Sequence, residues 1–325
     1  MAESSKIPII AVEGPTASGK TALAAALCEA MGGEAVSCDS MQVYCGMPIA
    51  TAQPTAAEMR GIPHHLIGFL PPDTPFSVVD YCEAARRCIA DIHARGKLPV
   101  VVGGTGLYLN ALLQNTRFSP NGASETLREV LREEAAKAGS AEILLERLRT
   151  IDPIAAEKLH PNDLGRIIRA LEIWETTGET PTAHHARSLR ESPYRSLVLG
   201  LAAKERETLY TRIDRRVDVM LESGLLEEAR AFFAQPNAPT ARQAIGYKEL
   251  KPYLDGEIPL ENAVEKLKQE TRRYAKRQLT WLRREKDIKW LFLDSETDFA
   301  ALTARACALA KDFLAQDTAS GTNDS

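Results

Sequence analysis

The sequence contains no run of about 20 apolar residues, the length that an α-helix needs to span a bilayer. It also lacks the charged start and the apolar stretch of a signal peptide. Its six cysteines form no C-x-x-C pair, and no histidine cluster has zinc-finger spacing. These absences argue against a membrane protein, a disulfide-rich secreted domain and a zinc finger. We therefore expect a cytoplasmic protein whose thiols are reduced and mostly buried.

The net charge of −4 excludes a uniformly basic nucleic-acid-binding protein. Apolar residues make up 44% and charged residues 26%, which is typical of a soluble globular protein with a sizeable core. The charge is nevertheless uneven, because one stretch contains Arg272, Arg273, Lys276, Arg277, Arg283, Arg284 and Lys286. Such a local basic face fits a nucleic acid bound at one place, but it fits an ordinary solvated helix face equally well.

Short apolar runs alternate with helical patterns in the first third of the chain. Ile7 to Val12, Glu34 to Cys38 and Leu98 to Val102 are typical of buried strands, and helical periodicity covers Thr21 to Met31 and Phe76 to Arg95. This alternation predicts a parallel sheet with right-handed crossover helices.

The pattern changes after Asn115, where helical signals without strands are followed by a stretch from Gly178 to Pro193 that we expect to be mobile. A strand at Leu197 to Leu201 then returns the chain to the sheet. Further helices are predicted at Lys204 to Gln235, Ala263 to Glu285 and Asp298 to Leu314, with a last strand at Ile288 to Leu293. We therefore predict an α/β fold: a P-loop NTPase-like parallel-sheet core (1–115 and 197–315), an inserted all-helical domain (116–196) and a disordered tail (316–325).

The segment GPTASGKT fits the phosphate-binding pattern G-x-x-x-x-G-K-[ST] and stands between a predicted strand and a predicted helix. Backbone N–H groups of such a loop point at phosphate oxygens beside a helix N-terminus, where the dipole favours anions. Lys20 adds a positive charge, and Thr21 offers a hydroxyl to Mg²⁺. The predicted diphosphate- or nucleotide-binding residues of the loop are Gly14, Pro15, Thr16, Ala17, Ser18, Gly19, Lys20 and Thr21.

An ATPase normally has an acidic residue after a neighbouring apolar strand, but here the third strand leads into Gly103-Gly104-Thr105-Gly106. The acid follows the second strand instead, as Asp39. Loops at the carboxyl edge of a parallel sheet meet, so Asp39, Lys20, Thr21 and Thr105 could share one cleft. Asp39 is either a catalytic carboxylate or the N-cap of a following segment.

Several segments, in order, resemble the tRNA dimethylallyltransferase family. They are GPTASGKT, CDSMQVY, GMPIATA, GIPHHLI, VVGGTGLYLNALL, RIIRALEIWETTG, AIGYKEL and TRRYAKRQLTWLRRE, spread over residues 7 to 294. The resemblance implies a P-loop core with an inserted helical domain and a monomer. It also implies that dimethylallyl diphosphate is the donor and Mg²⁺ the cofactor. The implied acceptor is N6 of the adenosine immediately 3′ of the anticodon, in tRNAs that read codons beginning with U.

The resemblance also implies roles for single residues. Asp39 matches the general base, Thr105 a residue that holds the reacting groups, and Lys20 the cation at the leaving diphosphate. Arg216 matches a diphosphate clamp, although alone it could be a surface charge. The segments that match tRNA contacts contain Asp39, Ser40, Met41, Gln42, Thr105, Gly165, Arg166, Ile167, Ile168, Arg169, Gln243, Ala244, Ile245, Gly246, Tyr247 and Lys248, with Arg128 as a further candidate.

Three positions depart from the family pattern. Gln53 stands where lysine is usual, Gly68 where an aspartate usually follows HHLI, and Gly165 where a longer polar or basic residue is common. Gln53 therefore suggests that a charge contact to the substrate is missing. We expect structural roles for His64 and His65, which have no third metal ligand nearby.

Three other functions remain open from the residues. One is a small-molecule kinase, the second is an enzyme that prenylates free AMP or ADP, and the third is a nucleotide-switched RNA-binding protein. The helical insertion and the basic run favour a macromolecular acceptor.

Overall fold

The computed structural model describes residues 6–118, 124–234, 241–285 and 287–320. The chain divides into two compact units, and the second one interrupts the first. Unit 1 comprises Met1–Leu113 and Pro193–Ser325, and unit 2 comprises Gln114–Ser192.

Unit 1 is built on a single parallel sheet. Its strands are β1 (Ile7–Glu13), β2 (Gly33–Cys38), β3 (His64–His65), β4 (Leu98–Gly103), β5 (Tyr194–Ala202) and β6 (Lys289–Phe292). They are arranged in the order β3-β2-β4-β1-β5-β6, and every pairing is parallel. The predicted α/β class with a parallel-sheet core is therefore confirmed. β3 was not predicted, because two residues carry no periodicity.

Fourteen α-helices lie within the described residues. They are α1 (Lys20–Met31), α2 (Ala56–Met59), α3 (Val78–Ala94), α4 (Gly106–Leu113), α5 (Glu125–Lys137), α6 (Glu142–Ile151), α7 (Pro153–Ala156), α8 (Leu164–Thr177), α9 (Pro181–Ser188), α10 (Arg206–Glu222), α11 (Leu225–Phe233), α12 (Tyr247–Leu254), α13 (Leu260–Leu282) and α14 (Phe299–Ser320). None of them is long and apolar enough to cross a membrane.

The structure corrects three predicted segments. The stretch predicted to be mobile contains α9, because Thr180 caps the amide of Ala183 and Pro181 supplies the fixed φ of a first helical turn. The helix predicted from Lys204 to Gln235 is interrupted at Gly224, whose φ of 98° ends the helical path. The last helix continues to Ser320, past the predicted start of the tail at 316, and the remainder of that tail lies outside the described residues.

Both faces of the sheet are covered, which explains the continuous apolar runs in its strands. Ile10 and Val12 of β1 pack with α1 and α14 in one core cluster, and the alternate residues Ile9 and Ala11 point to the opposite face. The carboxyl ends of β1, β2 and β4 lead directly into the three loops that contain the predicted site residues.

At the opposite end of the sheet, a buried carboxylate joins β2, β3 and the end of α3. Glu34 is 3% exposed and accepts hydrogen bonds from both terminal nitrogens of Arg95, at 2.5 and 2.8 Å. Lys97 Nζ and His65 Nε2 each lie 2.8 Å from the same carboxylate. The Arg95 hydrogen bonds hold the pKa of Glu34 far below its ordinary value.

Replacing Glu34 with glutamine should therefore destabilise the protein at neutral pH. We expect a loss of about 2–3 kcal/mol, below the roughly 3–5 kcal/mol seen for fully buried pairs, because Arg95 and Lys97 stay half exposed. The depressed folded-state pKa means that this stabilisation is present above the unfolded pKa of about 4.3 and disappears as the pH falls below it. Urea unfolding of both proteins at about pH 7 and about pH 3 measures this, and an equal difference at both pH values would contradict it.

Unit 2 consists of helices α5 to α9 around its own apolar core. Asn115 Nδ2 donates to the carbonyl of Glu191 at 2.9 Å, and the amide of Arg117 donates to the carbonyl of Ser188 at 2.8 Å. The two ends of the unit are therefore tied together by hydrogen bonds.

Candidate active site

The GPTASGKT segment forms a loop between β1 and α1. Gly19 occupies the N-cap position with a left-handed φ of 90°, and Lys20 is the first residue of α1. The first turn contains no acidic side chain, and no side chain caps its amides. These free N–H groups and the positive end of the helix dipole form an anion cradle.

Two cations converge on this cradle. Lys20 Nζ donates to the carbonyl of Pro15 at 2.7 Å. Burial and the field of Arg216 lower the pKa of Lys20 to about 8, while Asp39 and Glu13 act in the opposite direction. Burial also lowers the pKa of Arg216, which forms no ion pair within the described part of the chain. An anion bound beside both cations would relieve their repulsion.

Asp39 and Thr105 meet at the carboxyl ends of β2 and β4. The hydroxyl of Thr105 accepts a hydrogen bond from the amide of Ser40 at 3.1 Å, and the amide of Thr105 donates to the carbonyl of Cys38 at 3.2 Å. One carboxylate oxygen of Asp39 accepts from the amides of Met41 and Gln42, at 2.9 and 3.3 Å. The geometry is thus cap-like at Oδ1, whereas Oδ2 accepts no hydrogen bond from the described residues.

Arg212 is a site residue that the sequence did not reveal. Its Nε donates to the carbonyl of Ala17 at 2.8 Å, so it braces the phosphate loop from α10. Arg216 lies one turn further along the same helix and faces Lys20. The four-residue spacing of the two arginines could have shown that both lie on one helix face.

One face of α13 also borders the loops. Tyr274, Gln278 and Trp281, followed by Glu285 just beyond the helix, are spaced by three or four residues among strongly charged neighbours. Asn110 Nδ2 donates to the Glu285 carboxylate at 2.5 Å. Burial and the nearby Asp39 raise the pKa of Tyr274 well above its ordinary value. In the sequence, these residues recur every three or four positions among charged neighbours, and this helical spacing could have indicated the inward-facing side of α13.

Glu13 is an unexpected buried acid at the end of β1. It is 3% exposed and lies in register between Gly103 of β4 and Gly200 of β5. Its Oε1 is buried without a hydrogen-bond partner among the described residues. Burial raises the pKa of Glu13 to about 7, Lys20 partly offsets this effect and Glu285 adds to it. Burial thus favours the neutral form of this carboxyl group.

Some residues of the predicted tRNA segments in unit 1 do not face solvent. Ala244 and Tyr247 are buried in the core, and the Tyr247 hydroxyl donates to Glu228 at 2.9 Å, so their side chains are not available for surface contacts. Gly246 is also buried, while Ile245 is half-buried and Lys248 is exposed. The side chain of Gln243 lies outside the described residues.

The turn after Asp39 is partly committed to the protein itself. Ser40, Met41 and Gln42 are half-buried. The side chain of Gln42 donates to the carbonyl of Ala52 at 2.9 Å and accepts from Ser37 at 3.0 Å. The Gln42 side chain therefore stabilises this loop.

The predicted tRNA segment of unit 2 also contains side chains that do not face solvent. Ile167 and Ile168 are buried in the core of the unit because they occupy the apolar face of α8. Arg128 and Arg169 both bind the fully buried carboxylate of Glu172, which also accepts from the amide of Ser124. Only Gly165 and Arg166 in this segment are exposed.

Two of the departures from the family pattern are spatial neighbours. Gln53 Nε2 donates to the carbonyls of Gln42 and Tyr44, at 3.0 and 2.8 Å. A Cβ atom on Gly68 would lie 3.2 Å from Gln53 Oε1, and Gly68 has a left-handed φ of 56°. The side chain of Gln53 thus has a structural role in the loop, and a side chain at position 68 would contact it.

The two positions should therefore show energetic coupling. Gly68→Asp alone should cost about 1–2 kcal/mol of unfolding free energy, because it adds left-handed strain and places a carboxylate against an amide oxygen. Adding Gln53→Lys should recover about 1 kcal/mol by supplying an opposite charge. A double-mutant cycle in urea measures this. Gly61→Asp is the control for backbone strain, because Gly61 has a left-handed φ of 73° and no described atom lies within 4 Å of its Cβ position. Simple additivity of the two changes would contradict the coupling.

The basic run is only partly neutralised. Arg272 pairs with Asp214 and Glu265, and Arg273 pairs with Glu270. Four exposed cations form no ion pair within the described residues: Lys276, Arg277, Arg283 and Arg284. We call these four residues the basic patch. Lys286 lies outside the described residues.

No group of three or more His, Cys, Asp or Glu residues that could hold a metal occurs in the described ranges. All six cysteines are free. The hydroxyl of Thr21 makes no hydrogen bond to a described residue, so it is free to bind a cation held jointly with a diphosphate.

Comparisons with known proteins agree on one family. The sequence model described as IPP transferase matches residues 42–285. The chain is 46% identical over 301 residues to a tRNA dimethylallyltransferase of Caldanaerobacter subterraneus subsp. tengcongensis, covering 91% of this chain and 95% of that one. It is 47% identical over 294 residues to a tRNA dimethylallyltransferase of Geobacillus kaustophilus, covering 90% and 93%.

Solved structures give the same result. A tRNA isopentenylpyrophosphate transferase of Bacillus halodurans superposes with a TM-score of 0.72 at 42% identity, covering 97% of this chain and 98% of that one. A eukaryotic dimethylallyltransferase acting on tRNA superposes with a TM-score of 0.78 at 31% identity, covering 95% and 80%.

Proposed function

Because the chain belongs to the IPP transferase family, in which the relatives named above are tRNA dimethylallyltransferases, we propose that it transfers a dimethylallyl group from dimethylallyl diphosphate to tRNA. The acceptor is N6 of the adenosine immediately 3′ of the anticodon, in tRNAs that read codons beginning with U. The observation that supports this function best is the junction of a two-cation anion cradle with Asp39 and Thr105.

The cradle stabilises the leaving group. When the allylic C–O bond breaks, its electron pair and a growing negative charge pass to the diphosphate. Lys20, Arg216 and the amides at the start of α1 place positive charge around this cradle, so they would stabilise the diphosphate more as its charge grows in the transition state.

Asp39 accepts the proton that the reaction releases. A bond forms between the adenine N6 and the allylic carbon, and N6 then loses a proton to the free carboxylate oxygen of Asp39. The hydrogen bonds at Oδ1 fix the orientation of this carboxylate. Thr105 anchors the amide of Ser40, which keeps the Asp39 turn beside the second glycine-rich loop.

Mg²⁺ fits this site as a cofactor. The unengaged hydroxyl of Thr21 would contribute one ligand, and diphosphate oxygens and water would contribute the others, as is usual for Mg²⁺. When bound, the ion neutralises charge on the diphosphate.

The tRNA backbone provides a partner for the exposed cations. The acceptor adenine must leave the anticodon stack to reach Asp39. The basic patch, Lys248 and Arg166 are exposed and suited to phosphate contacts. The proposal includes action in the cytoplasm. It also includes action as a monomer, since the residues assigned to the chemistry all lie in unit 1 of one chain.

A label-transfer experiment tests the proposed function. Protein with Mg²⁺ and labelled dimethylallyl diphosphate is incubated with unmodified tRNA, AMP or ATP in parallel. We expect label in tRNA alone. Label in AMP or ATP would assign the chain to free-nucleotide prenylation, and ATP turnover without label transfer would overturn the prenyltransferase assignment.

Binding to tRNA should depend steeply on salt. The basic patch offers four cations without an ion pair to the described residues, and each phosphate contact contributes about −0.7 to −0.9 to the slope of log K against log salt concentration. Arg277→Ala should make this slope less negative by the contribution of about one phosphate contact. Arg273→Ala, which removes a cation already paired with Glu270, should change it less. Filter binding over a salt series measures both, and a flat salt response would contradict the role of the patch.

A further inference from the structure

One glutamine joins the two glycine-rich loops. Gln278 of α13 is 7% exposed. Its carbonyl Oε1 accepts a hydrogen bond from the amide of Thr16 in the phosphate loop at 2.9 Å. Its Nε2 donates to the carbonyl of Gly104 in the second loop at 3.0 Å. A single side-chain amide therefore connects backbone groups that are 88 residues apart in the sequence.

At Gly104 and Gly106, the second loop approaches α13 so closely that a side chain would not fit. A Cβ atom on Gly104 would lie 2.2 Å from Gln278 Nε2, and a Cβ atom on Gly106 would lie 2.0 Å from the Trp281 ring. Glycine at these positions lets the loop backbone reach the helix. Thr105, the residue between them, is consequently fixed relative to α13.

The phosphate loop is held from a second direction. Arg212 of α10 binds the carbonyl of Ala17, the residue after Thr16. Gln278 and Arg212 thus engage residues 16 and 17, and neither binds the amides at the start of α1. The cradle stays open to an anion while the base of the loop is fixed.

We propose that Gln278 is a positioning residue that sets the distance between the phosphate loop and the Thr105 loop. It thereby aligns Lys20 at the leaving group with Thr105 and Asp39 at the acceptor. This inference rests on the proposed function and adds a residue that acts through the two loops without touching either substrate. Prenyl transfer needs the phosphate loop and the Thr105 loop at the correct distance from each other, whereas binding of a diphosphate alone needs only the phosphate loop.

Glutamine is suited to this role because its amide is donor and acceptor at once. Glutamate keeps the acceptor for Thr16 but, when ionised, cannot donate to Gly104. Methionine has a similar length and provides neither strong bond. The two substitutions therefore remove one link or both links while largely preserving side-chain volume.

The first part of the test measures catalysis. Gln278→Met, Gln278→Glu and the wild type are compared well below their unfolding temperatures. Thr280→Ala serves as an exposed control on the same helix. We expect kcat to fall about 100-fold in Gln278→Met, by analogy with misplacements of about 1 Å, and by less in Gln278→Glu. The Kd for inorganic pyrophosphate should change less than about five-fold in both, and the Kd for tRNA should stay at the wild-type value.

The second part is independent of activity. Amide hydrogen exchange at Thr16 and at residues 103–106 should accelerate at least about ten-fold in Gln278→Met, and Thr16 should stay protected in Gln278→Glu. Unchanged exchange in both variants would overturn the link between the loops. Wild-type kcat in Gln278→Met, or pyrophosphate binding lost in parallel with kcat, would overturn the positioning role. An inactive wild type would refute the proposed function alone, because exchange still reports on the loops.

Discussion

Asp39→Asn is expected to lower single-turnover prenyl transfer by about 1000-fold or more, with tRNA affinity changed less than about two-fold. General bases typically contribute about 10²- to 10⁴-fold, and an asparagine amide cannot accept the N6 proton. Asparagine retains an oxygen for the amides of Met41 and Gln42, so the turn is preserved. Asp39→Ala should lose turnover to a similar extent, and it also removes the cap bonds.

The control for this prediction is an aspartate whose only evident role is a cap. Asp298 accepts from the amide of Ala301 at the start of α14, and Asp298→Asn should leave turnover unchanged. Rapid-quench measurements with saturating tRNA and labelled donor give the chemical rate directly. Full turnover in Asp39→Asn would mean that Asp39 only shapes the turn.

Gly103→Ala is expected to destabilise the protein by about 3 kcal/mol or more, or to prevent folding. A Cβ atom there would lie 2.0 Å from the carbonyl oxygen of Cys38 and 2.3 Å from its carbonyl carbon. These are backbone atoms of the paired strand, so no side-chain rotation can relieve the overlap. The β2–β4 ladder would have to open at the point where it positions Asp39 and Thr105, a cost at the upper end of overpacking effects.

Gly165→Ala, the same substitution at another position, is expected to stabilise the protein and not to destabilise it. Gly165 lies in α8 with nothing within 4 Å of its would-be Cβ and no left-handed φ. Alanine should therefore stabilise unit 2 by about 0.5–1 kcal/mol. Chemical unfolding of both variants gives the comparison, and a Gly103→Ala protein as stable as the wild type would refute the predicted overlap.

Much of the fold could be predicted because the relevant physics is local. Buried parallel strands such as Leu98 to Val102 require apolar residues on both faces, and the phosphate loop requires glycines at fixed positions. The break at Gly224 was less visible, since a glycine is compatible with a continuous helix until the tertiary path is known. The helix α9 depends on a cap and a proline that also occur in irregular loops.

The site was harder to predict than the fold, because chain order identifies segments but not the direction of side chains. Ile167 and Arg166 are adjacent, yet only Arg166 is exposed. Arg212 and Gln278 were missed because their partners are backbone atoms of a loop about 195 and 262 residues away. Arg128 and Arg169 matched tRNA contacts by sequence, but the buried Glu172 that binds both only becomes evident in three dimensions.

The interruption of unit 1 by unit 2 has a consequence for synthesis on the ribosome. β1 lies between β4 and β5, but β5 begins only at Tyr194, after the whole of Gln114–Ser192 has been made. Until then, one edge of the apolar strand β1 is unpaired and able to bind other strands. Unit 2 is contiguous and has its own core, so it can fold during this interval. Slow translation just before Tyr194 would lengthen the exposure of β1, and a chaperone that shields apolar edges would be needed most at that stage.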